Sequence, residues 1–272
     1  MTEKDTIYVI PWYECNLHCP HCEVSKRKIE YQEGKFLSTL KSLEAKNFVL
    51  FGGEPTLHLD KFQKILETKK INSVSSNIVA HNTELTKTLI APLFQEYNVS
   101  LATSWNYTRF SKKQVNLWLD NLWHFYANRV DILILITLTD DLIRDGMNSV
   151  LEVLWVLETM GINKFLFEPY IGEKEIHKEA DEWLCKFHDM YTGGMRNLLE
   201  EKLDNWKCSC NNVFTLNPDG VLYKGCPDSL DKTLSVCEEC LICNLVDKCQ
   251  PCMLQSHCSY PKKLEEKLRN GR

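Results

Sequence analysis

Three cysteines stand close together near the N-terminus, at Cys15, Cys19 and Cys22 in the segment Cys-Asn-Leu-His-Cys-Pro-His-Cys. Each thiolate can ligate one iron of a [4Fe–4S] cube, so the segment can hold three corners of a single cluster. The fourth iron then has no protein ligand nearby and stays open to a small molecule. A cluster with an open iron performs chemistry, whereas a fully ligated cluster usually only carries electrons.

A glycine-rich turn, Gly52-Gly53-Glu54-Pro55, is the second segment that points to a binding site. It follows the apolar run Asn47–Phe51, and the cysteine segment likewise follows an apolar run. Short runs of this kind are typical of β-strands. Because active-site groups of parallel barrels lie on the loops after the carboxyl ends of strands, both segments fall where such a site is expected.

The cysteine spacing C-x3-C-x2-C, taken with the Gly-Gly-Glu-Pro turn, resembles the signature of the radical S-adenosylmethionine (SAM) enzymes. The resemblance implies that the three cysteines ligate a [4Fe–4S] cluster and that SAM chelates its open iron. It also implies that Gly52, Gly53, Glu54 and Pro55 bind SAM by packing against its methionine amino group. His21 departs from the family, which often has an aromatic residue before the third cysteine.

The composition of this 272-residue chain is ordinary for a globular protein, with 44% hydrophobic and 25% charged residues. A formal net charge of −5 gives no electrostatic reason to expect a nucleic-acid partner. The longest apolar run, Ile132–Ile136, is too short to span a bilayer, and no secretory signal is evident. We therefore expect a cytoplasmic protein with no nucleic-acid or membrane partner. The clustering of its 13 cysteines suits metal sites rather than disulfides.

Residues 1–172 alternate between short strands and amphipathic helices, which predicts a parallel sheet with helices outside it. With the resemblance, this alternation predicts an α/β fold, a partial (β/α)6 TIM-type barrel. Pro92 should interrupt the helix after the third strand, and Gly161 should end the helix before the sixth. The predicted strands are Thr6–Ile10, Asn47–Phe51, Ser75–Ala80, Val99–Thr103, Asp131–Thr137 and Lys164–Phe167.

Beyond the predicted barrel, the composition changes toward cysteine, proline and turn residues. We expect a connecting helical region over 173–206, a small cysteine-rich α+β iron–sulfur domain over 207–262 and a charged tail over 263–272. The sequence Asn217-Pro-Asp-Gly220 predicts a hairpin turn between two short strands.

Nine cysteines fall between residues 208 and 258, in a segment too short and turn-rich to bury much apolar area. Bound metal should therefore supply its folding energy. Zinc is one interpretation, because CxxC pairs also form zinc sites. The order of the cysteines around the hairpin more specifically resembles the SPASM extension of radical SAM peptide maturases, which holds two auxiliary [4Fe–4S] clusters.

The SPASM resemblance assigns eight of these cysteines to two clusters. The Cys-Ser-Cys spacing of the first pair is tighter than the family has, so a single auxiliary cluster remains an alternative. Cys237 is left over and could replace a ligand. The first set is Cys208, Cys210, Cys226 and Cys252, and the second set is Cys240, Cys243, Cys249 and Cys258.

Two partial matches to the family extend the predicted SAM site. Ala80–Thr83 follows the third predicted strand, where the family often has Thr-Asn-Gly, so Asn82 could contact the methionine or adenine part of SAM. The alternative for Asn82 is a simple turn residue. Ser104 follows the fourth predicted strand, resembles the family's Ser-x-Asp segment and could bond the SAM carboxylate. Trp105 and Asn106 depart from that pattern.

The resemblance implies an enzyme that reductively cleaves SAM to a 5′-deoxyadenosyl radical, which takes a hydrogen atom from a substrate. Because relatives with this extension act on peptides, the expected substrate is a ribosomally made precursor peptide. The expected product carries a crosslink, a thioether, an oxidation or an epimerised residue. Flavodoxin or ferredoxin would donate the electron, and auxiliary clusters would make the enzyme an oxidoreductase. The alternatives are a radical dehydrogenase of a small molecule and a non-enzymatic iron–sulfur electron carrier.

Overall fold

The computed structural model describes residues 6–19, 22, 24, 27–105, 110–138, 147–169 and 213–224. These residues belong to two compact units. The first contains the described residues of 6–103 and 110–132 together with 213–224, and the second contains 104–105, 133–138 and 147–169. None of the helices in the described part of the chain has the length and apolar character of a membrane span.

Strands and helices alternate along the described residues. Strands β1 to β7 each pair in parallel with a neighbour, and β8 pairs antiparallel with β7. The predicted α/β fold with a parallel sheet is therefore confirmed. In chain order the elements are β1 (Thr6–Val9), α1 (Glu33–Ser42), β2 (Asn47–Leu50), α2 (Leu59–Leu66), β3 (Ser73–Ser75), α3 (Thr83–Leu85), α4 (Ala91–Glu96), β4 (Ser100–Trp105), α5 (Lys112–Ala127), β5 (Ile132–Leu138), α6 (Met147–Thr159), β6 (Phe165–Pro169), β7 (Val213–Leu216) and β8 (Leu222–Lys224).

The core of the first unit lies between its strands and helices. Buried and partly exposed residues alternate along β1, β2 and β3, which is the period-two pattern of a strand with one face covered. Helices α2, α4 and α5 meet through the rings of Phe62, Phe94 and Phe125. The ring centroids are 5.9 Å apart in the first pair and 4.9 Å apart in the second. Apolar residues at helical spacing thus bury one face of each helix.

The third strand lies earlier than predicted. It covers Ser73–Ser75, whereas the sequence predicts a strand over Ser75–Ala80. The N–H of Ser76 still donates to the carbonyl of Ala102 on β4 at 3.0 Å, while its hydroxyl donates to the carboxylate of Glu54. Ile78 then adopts a φ of 53°, a left-handed conformation that cannot continue an extended strand.

The helix after β3 is interrupted, as predicted from Pro92. A π-helical stretch, Thr86–Ile90, separates α3 from α4, and Pro92 lies in the first turn of α4. Proline has no N–H to donate to the carbonyl four residues earlier, so a regular α-helix cannot run through this position.

The second unit contains the parallel pair β5 and β6 with α6 between them in the chain. The buried residues of this unit include Ile134 and Ile136 on β5 and Leu154 on α6. Gly161 has a φ of 86°, and the N–H of Ile162 donates to the carbonyl of Leu157 at 2.8 Å. This geometry is a helix stop that uses a left-handed glycine, as predicted.

The C-terminal hairpin extends the sheet of the first unit. Strand β7 pairs in parallel with β1, so the strand order in this unit is β4-β3-β2-β1-β7-β8. The predicted hairpin turn is confirmed, because the N–H of Asn217 donates to the carbonyl of Val221 at 3.0 Å. The turn lies against α1, where the hydroxyl of Thr39 donates to the carbonyl of Gly220 at 3.1 Å.

Replacing Gly220 tests how tightly the hairpin turn packs on α1. It has a φ of 73°, and an added Cβ would lie 2.8 Å from Cγ of Lys35 and 3.0 Å from the backbone nitrogen of Phe36. Gly220→Ala should therefore lower the free energy of unfolding by more than about 1 kcal/mol in anaerobic urea denaturation. Gly34→Ala is the control, because open space surrounds Gly34 in the first turn of α1 and alanine favours helix. Equal stability of the two variants would contradict this packing.

Candidate active site

The three N-terminal cysteines lie on the loop after β1, where the sequence predicts a cluster. Cys15, Cys19 and Cys22 are outside any disulfide, and each is partly exposed. The N–H of Cys22 donates to the carbonyl of Cys19 at 3.1 Å, so the backbones of the last two cysteines lie close together. The loop therefore presents three thiols that an incoming group can reach.

The chemistry of these donors fits an iron–sulfur cluster. Within the described residues, no three His, Cys, Asp or Glu side chains converge on a point suited to a single metal ion. A cubane cluster needs a different arrangement from a single ion, because each thiolate binds its own iron and the sulfurs stay apart. Thiolates are also the ligands that such clusters take. The cysteines predicted to ligate auxiliary clusters lie outside the described residues: Cys208, Cys210, Cys226, Cys240, Cys243, Cys249, Cys252 and Cys258.

The stem of the cysteine loop is buried. Ile10 and Tyr13 pack with Val24 in an apolar cluster, and Cys22 and Phe51 lie against it. This packing anchors both ends of the cysteine segment. The thiols therefore have a fixed base and an accessible outer side.

Gly52 and Gly53 lie directly against the cysteine loop. The N–H of Gly53 donates to the carbonyl of Trp12 at 3.1 Å, and the N–H of Glu54 donates to the carbonyl of Glu14 at 2.7 Å. A Cβ on Gly53 would lie 1.8 Å from the carbonyl oxygen of Glu14, and one on Gly52 would lie 2.6 Å from that of Trp12. Glycine is needed here because any side chain would push the two backbones apart.

Glu54 is fully buried, and its carboxylate accepts four hydrogen bonds. Oε1 accepts from the N–H and the hydroxyl of Thr56, at 3.1 and 2.7 Å, and from the hydroxyl of Ser76 at 2.7 Å. Oε2 accepts from the N–H of Asn77 at 2.7 Å. Pro55, also buried, begins a short 3-10 turn that orients Thr56. The carboxylate thus joins the loop after β2 to the loop after β3.

Asn77 is a site residue that the sequence analysis missed. It is 3% exposed, and its Nδ2 donates to Oδ1 of Asn16 at 2.8 Å. The same Nδ2 lies 3.7 Å from Sγ of Cys15. Its Oδ1 accepts from the N–H of Val79 at 2.9 Å. With its backbone bond to Glu54, Asn77 links the cysteine loop to the other two strand-end loops.

Ser76, Asn77 and Ile78 follow β3 directly, and Ile78 has a φ of 53°, a conformation that glycine adopts readily. The partial match predicted at Ala80–Thr83 lies further along the chain, and its role in binding SAM stays a prediction.

Asn82 and Ser104, the two other residues predicted to bind SAM, are both at least partly exposed. Asn82 is exposed, and its Oδ1 accepts from the N–H of Leu85 at 2.9 Å as the N-cap of α3. That is the turn role which the sequence analysis kept as an alternative. Ser104 is a partly exposed residue of β4. A contact of either residue with SAM stays a prediction.

Tyr13 connects the cysteine loop to the C-terminal hairpin. Its hydroxyl donates to Oδ1 of Asn217 at 2.8 Å, between residues 204 positions apart in the chain. Burial raises the pKa of the Tyr13 hydroxyl, although the nearby positive charge of Arg27 opposes the shift. The hydroxyl is therefore protonated at neutral pH and serves as the donor in this bond.

Comparison with known proteins finds the same fold among solved structures. No family model and no curated protein sequence matches the chain. Among solved structures, anSMEcpe with bound AdoMet (SAM) has a TM-score of 0.69 and 17% identity, over 98% of this chain and 97% of that one. The complex of anSMEcpe with AdoMet and the Cp18Cys peptide has a TM-score of 0.68 and 16% identity, over 98% and 97% of the two chains.

A third solved structure is SuiB from Streptococcus suis bound to its precursor peptide SuiA. Its TM-score is 0.57 at 14% identity, over 82% of this chain and 59% of that one. The neighbours are radical SAM enzymes, and anSME is an anaerobic sulfatase-maturating enzyme with a SPASM domain. The chain therefore has the fold of these enzymes, the partial TIM-type barrel that the sequence predicts.

Replacing the buried carboxylate by its amide tests the site's geometry. In Glu54→Gln the NH₂ group would face the backbone N–H of either Thr56 or Asn77, because each carboxylate oxygen now accepts one of them. We expect the free energy of unfolding of the cluster-free protein to fall by about 1–3 kcal/mol in urea.

Glu44→Gln is the matched control, because Glu44 is exposed and its ion pair with Lys70 is a surface contact. Its effect should stay within about 1 kcal/mol. If Glu54→Gln is no more destabilising than Glu44→Gln, the four bonds do not hold the two loops together.

Proposed function

We propose that this protein is a radical SAM enzyme that modifies a peptide. The observation that carries the proposal is the loop after β1, which presents three accessible thiols and whose backbone is hydrogen-bonded to the Gly-Gly-Glu-Pro turn at Trp12 and Glu14. The shared fold with AdoMet-bound structures, over 98% of the chain, supports it. When bound, a [4Fe–4S] cluster with SAM on its open iron supplies the electron that splits SAM and yields a hydrogen-abstracting 5′-deoxyadenosyl radical.

Each part of the site has its own task in this proposal. Cys15, Cys19 and Cys22 ligate the cluster and leave one iron open. Gly52 and Gly53 allow the SAM-binding turn to approach the loop. The carboxylate of Glu54 is fully buried and already accepts four hydrogen bonds from the protein. The turn therefore binds the methionine amino group of SAM through main-chain carbonyls rather than through that carboxylate.

A peptide is the substrate that the comparisons favour. Two of the solved structures contain peptides, Cp18Cys in anSMEcpe and the precursor SuiA in SuiB. Strands β1 to β4 also offer a face for one, because several side chains on that face are partly exposed. Tyr8, Val49, Ser75 and Ala102 are partly exposed there, and the last two are small. We propose that a peptide side chain enters over this face.

The C-terminal cysteines complete the proposal. We propose two auxiliary [4Fe–4S] clusters on the two sets of four cysteines given above, in the domain over 207–262. The hairpin β7–β8 supports this, because it stands where the SPASM resemblance places it in the order of cysteines. Auxiliary clusters accept the electron left on the substrate, so the modification is oxidative. A flavodoxin or ferredoxin is the proposed reductant.

A triple variant tests the cluster assignment. Cys15/Cys19/Cys22→Ala should lose about four irons, one cube's worth, and should form no 5′-deoxyadenosine from SAM under dithionite. Iron and sulfide analysis and chromatography measure the two results. His18→Ala, an exposed residue of the same loop, should keep both iron and cleavage. Retained SAM cleavage in the triple variant would refute the assignment.

A second experiment tests the substrate class. The reduced enzyme is incubated with SAM and the precursor peptide encoded beside its gene, and the peptide is examined by mass spectrometry. We expect a changed peptide mass, and deuterium from labelled peptide in 5′-deoxyadenosine. An unmodified peptide alongside efficient SAM cleavage would count against a peptide substrate and leave the radical SAM assignment intact.

A further inference from the structure

The side-chain amide of Asn77 lies beside the sulfur of a predicted iron ligand. Its Nδ2 is 3.7 Å from Sγ of Cys15, within reach of an N–H···S hydrogen bond, and 2.8 Å from Oδ1 of Asn16. A primary amide has two N–H groups, so it can donate to both acceptors. We propose that Asn77 is a positioning residue that donates a hydrogen bond to the Cys15 thiolate and raises the reduction potential of the cluster. This inference rests on the proposed function.

The orientation of the amide is fixed by its surroundings. Oδ1 of Asn77 accepts from the N–H of Val79 at 2.9 Å, and its backbone N–H donates to Oε2 of Glu54 at 2.7 Å. A flipped amide would place NH₂ against the N–H of Val79, and an oxygen against Oδ1 of Asn16. Both contacts are repulsive, so the network determines which end faces the sulfur.

The effect of this hydrogen bond on the reduction potential of the cluster follows from charge. Reduction adds one electron to a cluster that already carries thiolate charge, and no bond to Asn77 forms or breaks. A hydrogen bond to a ligand sulfur stabilises the added negative charge, so it makes reduction easier. The backbone N–H of Leu17 also approaches Sγ of Cys15, at 3.4 Å. Cys15 is thus the predicted cluster ligand whose sulfur is approached by both the N–H of Leu17 and the amide of Asn77.

Asn77→Asp separates this effect from packing. Aspartate has the same shape and can still accept from the N–H of Val79, but a charged oxygen would face the sulfur in place of the N–H donor. The lost hydrogen bond and the added negative charge therefore act in the same direction. In the holoenzyme, an EPR-monitored redox titration should give a more negative potential for the N-terminal cluster. The signal of the Cys15/Cys19/Cys22→Ala variant identifies the contribution of other clusters. SAM cleavage at a fixed reductant concentration should fall about 10–100-fold.

Asn128→Asp is the matched control. Nδ2 of Asn128 donates to the carbonyl of His124 at 2.8 Å at the end of α5, so the same amide-to-acid change is made away from the site. Its cluster potential and SAM cleavage should equal those of the wild type. An unchanged potential in Asn77→Asp at full iron content would overturn the inference and leave the proposed function standing.

A measurement on the wild type covers the case in which Asn77→Asp does not retain its cluster. Enzyme labelled with ¹⁵N in its asparagine side-chain amides should show a weak ¹⁵N coupling to the reduced cluster by electron–nuclear double resonance. Absence of that coupling would overturn the inference. A wild-type enzyme with no cluster on the three cysteines would instead overturn the proposed function.

Discussion

The carboxylate of Glu54 is the contact on which the geometry of the site depends. A buried charge is costly unless hydrogen bonds replace its water, and here four donors do so. The donors come from the loops after β2 and β3, so satisfying the charge fixes both loops. The backbone N–H of the same residue bonds the loop after β1 at Glu14. One residue therefore sets the relative positions of three loops that meet at the carboxyl edge of the sheet.

Local patterns predicted much of this arrangement. Short β-branched and aromatic runs located β1 and β2, and the Asn-Pro-Asp-Gly sequence located the hairpin turn, because these signals lie within a few residues. The loop after β3 is held instead by Glu54, whose carboxylate accepts from Ser76, 22 positions later in the chain. The apolar run Ile78-Val-Ala80 placed the predicted strand later than the observed one, at Ser75–Ala80, and the contacts of Asn77 were therefore not predicted. Asn82 is the N-cap of a helix, and its contact with SAM stays a prediction.

The pairing of β7 with β1 could also not be predicted from local sequence patterns. Strand β7 lies beside β1, and Tyr13 bonds Asn217 across 204 positions of the chain. Without β7, strand β1 would be an edge strand with unpaired backbone groups on one side. The strand that leads into the cysteine loop is therefore completed only by residues near the C-terminal cysteines. Pairing at this separation carries a loop-closure cost that local sequence patterns do not reveal.

The contrast between a rigid stem and accessible thiols explains how the loop can serve an open cluster. If the cysteines were buried as deeply as Ile10, a small molecule could not reach the open iron of a bound cluster. If the whole loop were exposed, nothing would hold three sulfurs at the corners of one cube. Backbone bonds from Gly53 and Glu54 fix the stem just before Cys15, and the thiols beyond it are partly exposed. Asn77 then reaches the first of these thiols from within the protein, so the sulfur at the boundary between the buried stem and the open segment is held by a buried side chain.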